Sequence, residues 1–551
     1  MTASSGKPWL SLYPAGATSI EIEFESALDM FAAAVRRAPD NDAVRYFDGA
    51  ISVAELDRMS DALAAALADR GFGAGDRLAL FMQNMPAFVI GLLAAWKAGG
   101  VGVSVNPMFK SRELAYLLAD SGATALLCLD ALYAGVARDV IATGNTRVQT
   151  VIVCSGTDHQ TRNDPRVLNG SPAAVNDGVE HLLELIARYA GKRPPQARPR
   201  SSDTALLTYT SGTTGEPKGA MNTHGNVVAD AQILRDWVGL KSNESILGVA
   251  PLFHITGTVA HVVLSLLVPA PLILAYRFNA AVMLDAIREH RPVFTVGAIT
   301  ALTAIADGEG AKPQDFVSLS KLYSGGAPVA PGTADRLEKI YGHYVHNAYG
   351  LTESSSATHL VPLGVRAPVD RDSGALSIGV PAYNTNARIL DDGGNELPPG
   401  EIGELAISGP QIVPGYWNKP EQTAAAFPDG ELRTGDVAFM NTEGWFFIVD
   451  RKKDMINAAG YKVWPREVED VLYSHPAVRE AAVVGVPDEY RGETVKAYVV
   501  LQPDAKVGAE ELIAFCKQKM AAYKYPRQLE IRPDLPKTAS GKILRRKLRD
   551  T

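Results

Sequence analysis

The sequence predicts an α/β protein of more than one domain: a large N-terminal unit of sheets flanked by helices, then a small α+β unit. Three observations predict this. The chain has 551 residues, more than one hydrophobic core normally supports. Residues 21–130 alternate helix-period stripes with short apolar runs, the pattern of parallel strands joined by crossover helices. Near Asp450 the texture changes to a charged bend, a glycine turn and a helix opened by Pro465, DRKKDMINAAGYKVWPREVEDVL, which marks a domain boundary.

Composition narrows the class. Hydrophobic residues at 46% and charged residues at 21% are ordinary for a globular chain and exclude a mainly disordered one. A net charge of −7 argues against a general nucleic-acid binder, which needs concentrated Lys and Arg. Cys128, Cys154 and Cys516 are far apart and odd in number, so neither a disulfide framework nor a zinc site is indicated, and a reducing cytoplasmic setting fits. The N-terminal residues MTASSGKPWLSLYPAG carry no apolar signal-peptide core. The longest apolar run, 258–275, contains His261 and is cut by Pro269 and Pro271. It reads as a buried helix followed by a strand, not as a membrane span.

Taken in order, residues 53–70 place Leu56, Met59, Leu63 and Leu67 on one helical face. The GFGAGD turn then leads into a strand at 77–81. Gly71, Gly73 and Gly75 do not fit G-x-G-x-x-G and follow a helix, so they form a connecting turn. A helix at 86–98, stopped by Gly99 and Gly100, precedes a strand at 101–105, and residues 112–130 repeat the pattern. The Pro/Arg-rich stretch GKRPPQARPRSS, 191–202, is an exposed loop inside the large domain.

The chain is organised around residues 209–219, YTSGTTGEPKG, which follow the apolar run 205–207. Three glycines, small hydroxyl residues and a lysine leave little side-chain bulk, so backbone N–H groups and hydroxyls can close around a phosphate. A strand feeding such a loop is the usual position for a phosphate cradle in an α/β protein. Lys218 precedes Gly219 and follows Pro217, so the stretch is not a Walker A motif. By itself a Gly/Ser/Thr cluster is most simply a flexible surface loop, but further stretches point the same way. SGGAP, 324–328, lets a flat group approach the backbone. NAYGLTES, 347–354, supplies an aromatic face in Tyr349, a hydroxyl in Thr352 and a carboxylate in Glu353, a set suited to base, phosphate and Mg²⁺. Asp436 in RTGD is placed to accept hydrogen bonds from ribose hydroxyls. His254 in APLFHITG, taken alone, reads as a structural histidine. Beyond the boundary, strands at 481–486 and 496–501 alternate with helices, and the chain ends on PKTASGKILRRKL with Lys542 between Gly541 and Ile543.

In this order and over nearly the whole chain, these motifs resemble the adenylate-forming superfamily of acyl-CoA synthetases, luciferases and peptide-synthetase adenylation domains. YTSGTTGEPKG resembles the family's phosphate loop, NAYGLTES its adenine and Mg²⁺ motif, RTGD its ribose motif, DRKKD its hinge, and PKTASGK its catalytic-lysine motif. The resemblance implies an N-terminal ATP- and acyl-binding domain over 1–449, a hinge at 450–453 with Lys453 as pivot, and a mobile C-terminal lid over 454–551. It implies that ATP converts a carboxylate to an acyl-adenylate with loss of pyrophosphate, and that the thiol of coenzyme A then takes the acyl group. Thr210, Ser211, Gly212, Thr213, Thr214 and Gly215 would line the phosphates, with Thr352 near the α-phosphate and Lys218 and Lys542 offsetting negative charge. Gly326, Ala327, Tyr349 and Ile448 would surround adenine, and Asp436 and Arg451 would hold ribose. Thr210 and Glu353 would bind Mg²⁺. Gly460 would border the pantetheine tunnel, and His254 would gate the acyl group.

For the acyl pocket, His254, Thr258, Gly325 and Gly350 are the candidates, beside an apolar helix suited to an alkyl or aryl tail. The segment HIT, 254–256, offers no acid to hold an α-amino group, which disfavours amino acids. The C-terminal half looks most like medium- to long-chain fatty acyl-CoA ligases. An aryl-CoA ligase of the coumarate or benzoate type is the runner-up. A catalytically silent acyl- or nucleotide-binding member and an acyl-AMP ligase that hands its product to a carrier protein are the other readings. Neither nucleic acid nor an integral membrane span is expected, and a homodimer is left open.

Overall fold

The computed structural model describes residues 7–14, 17–168, 178–210, 216–371, 374–451, 454–458, 461–488, 492–538 and 541–549. Ser211, Gly212, Thr213, Thr214, Gly215, Lys453 and Gly460, all expected site residues, lie outside these.

The described strands form four sheets. One has seven strands in the order Glu180–His181, Thr150–Cys154, Ala125–Leu129, Arg77–Phe81, Val101–Val105, Thr204–Thr210 and Lys218–Thr223. All neighbours in it are parallel except the last pair. Its central strands are apolar along their length, as strands covered on both faces must be. The helix Val53–Ala68 begins at a Ser52–Glu55 capping box and buries Leu56, Leu63 and Leu67. The helix Pro86–Lys97 is buried on all sides, with Pro86 at its first position.

A nine-stranded sheet runs from Val380–Pro381 through His346–Tyr349, Lys321–Ser324 and Phe294–Gly297 to Asp42–Tyr46 and Gly49–Ser52. The alternation over 21–130 is therefore not parallel throughout. Asp42–Tyr46 and Gly49–Ser52 form an antiparallel hairpin in this second sheet, reversing through Phe47 at φ 52. A four-stranded antiparallel sheet, Asn386–Leu390, Gly403–Ser408, Leu432–Met440 and Phe446–Arg451, completes the large N-terminal domain.

The smaller C-terminal domain is built on a five-stranded sheet with its own cores around Val468, Val483, Val499 and Leu512, and around Val484, Tyr498 and Leu548. Its main ribbon pairs Val478–Asp488 with Gly492–Leu501, longer than the sequence suggests, because the ladder extends through Pro487 and Asp488 at the turn end. The three cysteines are buried and unpaired with one another. Among the described residues no helix is long and apolar enough to cross a membrane.

Candidate active site

The loop 211–215 joins two antiparallel strands, with Thr210 directly opposite Lys218. The strand before 211–215 is thus followed in the described structure by an antiparallel strand, and not directly by a helix. The strand Lys218–Thr223 is largely buried and continues the sheet before the helix His224–Val238 begins. Lys218 is the described donor beside this loop. The loop's base is held from outside: Tyr116 donates to the Pro217 carbonyl at 2.9 Å, and Tyr209 donates to Asp120 Oδ2 at 2.7 Å. Neither partner carries a signal in the sequence.

Lys218 Nζ lies 4.1 Å from the centre of the Tyr416 ring, and the Tyr416 hydroxyl donates to Glu353 Oε1 at 2.7 Å. Burial, reinforced by the Glu353 carboxylate, raises the Tyr416 phenol far above its ordinary range, so it stays a donor. Tyr416 is a site residue that sequence reasoning missed. It lies in PGYWNKP and reaches the site because the Trp417 N–H donates to Gly219 and the Met221 N–H to Gly415.

Thr352 and Glu353 stand on a short 3₁₀ turn, Thr352–Ser354, followed by Ser355 at φ 55 and Ser356 at φ 131. These are costly conformations for non-glycine residues. The neighbouring hairpin and helix hold them in place: Asn222 Nδ2 donates to the Thr352 carbonyl at 3.0 Å and to Ser355 Oγ at 2.9 Å, and the Ala357 N–H donates to Asp230. Gly350 was expected to open space for an acyl tail. Instead a Cβ there would lie 1.5 Å from the Ser356 carbonyl oxygen, so backbone fills that space. Thr258 is also not available to a substrate through its hydroxyl. It is fully buried and donates to the Leu252 carbonyl at 2.6 Å.

Tyr349 donates to Asp436 Oδ2 at 2.6 Å, bringing the aromatic and the ribose candidate together. Asp436 pairs with Arg451 across two strands, which places Arg451 on that edge. Ile448 is buried in the main core of the large domain, on the same strand. Gly325 follows the strand Lys321–Ser324 and donates to the Gly297 carbonyl. A Cβ at Gly325 would come within 3.3 Å of the Ala348 carbonyl oxygen. Gly326 has φ 80 and open space around it, and it exposes backbone next to Ala327.

The C-terminal segment reaches this site. Thr300 Oγ1 donates to the Gly541 carbonyl at 3.2 Å, and Gly541 adopts φ 82 with room for no more than a hydrogen, since a Cβ would sit 2.6 Å from Thr300 Oγ1. Lys542 follows. Burial and the Lys542 ammonium together push the His254 imidazole down to about 4, which leaves it neutral at pH 7. The Thr256 N–H donates to His254 Nδ1 at 3.3 Å, so the ring proton resides on Nε2. His254 opens onto a π-helix, Thr256–Val263, a wider coil than the α-helix read from the sequence.

The family model described as AMP-binding enzyme matches residues 31–417, and that of the AMP-binding enzyme C-terminal domain matches 467–542. A long-chain-fatty-acid–CoA ligase of Bacillus subtilis (strain 168) is 35% identical, with 99% of this chain and 98% of that protein covered. A feruloyl-CoA synthase of an Amycolatopsis species is 36% identical, over 93% of this chain and 96% of that protein. Among solved structures, an anthranilate CoA ligase in complex with anthranoyl-AMP matches with a TM-score of 0.86 at 26% identity, over 96% of this chain and 98% of that one. The chain belongs to the AMP-binding enzyme family and, within it, to the AMP-forming acyl-CoA ligases.

Proposed function

We propose that this enzyme activates a fatty acid with ATP at the site between the 204–223 hairpin and Asp436, and that coenzyme A then takes the acyl group as a thioester. The observation that carries the reading is the meeting of motifs distant in the chain: Lys218 with Tyr416 and Glu353, Tyr349 with Asp436, and the Lys542 segment with Thr300 and His254.

A carboxylate is a poor acyl donor because its leaving group would be oxide. Its attack on the α-phosphate gives a mixed anhydride and expels pyrophosphate. Two anions meet in that step, so Lys218 and Lys542 act by offsetting the growing negative charge. Thr352 donates its hydroxyl toward the α-phosphate, Asp436 accepts from ribose, and Tyr349 with Gly326 and Ala327 flanks the base. Neutral His254, with its proton on Nε2, borders the acyl carbonyl and donates there without adding charge. Glu353 and Thr210 offer hard oxygen donors, the kind Mg²⁺ takes alongside phosphate oxygens, and Tyr416 holds the Glu353 carboxylate in place. Bound there, Mg²⁺ would neutralise phosphate charge.

A domain division in this region is supported by the strand Phe446–Arg451, which ends the four-stranded sheet and carries Asp450 and Arg451 with it, and by Ile456–Ala458, which begins the five-stranded one. Lys453 as pivot and Gly460 at the thiol tunnel stay part of this reading, as does a cytoplasmic location. The 36% identity to a feruloyl-CoA synthase supports aryl acids as the second substrate reading. CoA-dependent AMP formation across a panel of fatty and aryl acids tests all of this. The expected result is a preference for alkyl acids above about eight carbons, consistent with an apolar pocket. Turnover of aryl acids alone selects the second reading, and absence of pyrophosphate release with every acid overturns the first.

A further inference from the structure

Arg545 follows Lys542 in the C-terminal segment, and its guanidinium spans carboxylates from both domains. Nε and Nη2 grip Glu469 at 3.1 and 2.6 Å, while Nη1 lies 3.0 Å from Asp450 Oδ1 and 3.5 Å from Asp454. Glu469 belongs to the small domain: it lies on the helix Pro465–Tyr473 and accepts from the Val483 N–H at 2.8 Å. Asp450 belongs to the edge strand of the four-stranded sheet. It pairs with Val437, next to Asp436, and its other oxygen accepts from the Arg466 N–H at 3.0 Å. Asp450 is 4% exposed, so the link is made away from solvent.

Lys542 is thus pinned on both sides. Before it, the Gly541 carbonyl is held by Thr300; after it, Arg545 is held by Asp450. A lysine side chain is long and flexible, and its ammonium reaches a reacting phosphate only as accurately as its backbone is placed. We infer that Arg545, through Asp450, is a positioning residue for Lys542: the pair sets the reach of the ammonium over the nucleotide site during adenylate formation. This rests on the proposed role of Lys542.

Asp450→Asn is the variant of choice. It removes the charged link yet leaves Arg545 paired with Glu469 and Asp454, so no buried charge is stranded. Misplacement of a reacting group by an ångström can cost on the order of 100-fold in rate. The expected result is a fall of about 10-fold or more in kcat for acid-dependent pyrophosphate release, with KM for ATP and thioester formation from supplied acyl-adenylate each within about two-fold. Arg545→Lys, which keeps the charge but loses the planar fork, should behave alike, and it carries the test if Asp450→Asn fails to fold.

The deciding measurement is the double variant. If Asp450 acts through Lys542, Asp450→Asn costs nothing further in a Lys542→Ala background. An additive loss in the double variant, or equal loss of both half-reactions in a folded single variant, overturns the inference. So does an unimpaired first half-reaction in Asp450→Asn where Lys542→Ala is crippled. Full adenylate formation by Lys542→Ala itself would instead sink the proposed function on which the inference stands.

Discussion

At the scale of single residues, the site depends on where a few charges and hydroxyls are held. Removing one transition-state charge contact commonly costs on the order of 10²–10³-fold in rate. Lys542→Ala should lose adenylate formation by about that factor while still converting supplied acyl-adenylate to thioester. Stopped assays of the two half-reactions check it, and equal loss of both would contradict the role. Tyr416→Phe keeps the ring under Lys218 but removes the hydroxyl from Glu353. A hydrogen bond to a charged group is worth about 1.5–3 kcal/mol. The variant should therefore need more Mg²⁺ for half-maximal pyrophosphate release and lose about 10-fold or more in kcat/KM. An unchanged Mg²⁺ titration would show that Glu353 does not need this donor.

At the scale of elements, the 350–357 segment is the tightest part of the site. It carries Thr352 and Glu353, includes two non-glycine residues at positive φ, and passes close enough to itself that Gly350 has no room for a side chain. Gly350→Ala should destabilise the protein by on the order of 3 kcal/mol, read by denaturant unfolding, because the carbonyl it meets is backbone and cannot rotate aside. A variant as stable as the parent would mean that the segment relaxes freely. The sequence marks this segment as a site through NAYGLTES. It does not reveal that the segment is braced by Asn222 and Asp230, which are distant in the chain and belong to no recognisable pattern. The composition of the phosphate loop was legible, but the antiparallel pairing of the strands that flank it, with Thr210 opposite Lys218, was not.

For the whole molecule, the large core encloses histidines whose charging is opposed by burial. His261 is fully buried, and burial pushes its imidazole down to about 4 although the Val296 backbone opposes the shift. The folded state thus resists a proton that the unfolded chain takes up near pH 6.5. The stability that neutral His261 contributes is complete above pH 6.5 and is lost as pH falls from 6.5 to about 4. His261→Leu removes this sensitivity. Its unfolding free energy should drop less than the parent's between those pH values, by about 3 kcal/mol. Identical pH dependence in the two proteins would contradict a buried neutral His261.

What the sequence by itself determined is what depends on neighbours in the chain. The helices Val53–Ala68 and Pro86–Lys97, the strands Arg77–Phe81 and Val101–Val105, and the glycine turns between them follow from local period, caps and breakers. So does the chemical character of each motif, because a glycine-rich hydroxyl loop or a lysine between Gly541 and Ile543 is read from adjacent residues. Only the tertiary structure decided which motifs meet and which small residues serve packing instead of substrate. Tyr416 joins Lys218 to Glu353, and Thr300 receives Gly541, through contacts that close long loops and leave no local period behind. Gly350 and Thr258 look like pocket residues by size alone. Their neighbours, the Ser356 and Leu252 carbonyls, are backbone atoms whose approach depends on the path of the chain, which residue type does not encode.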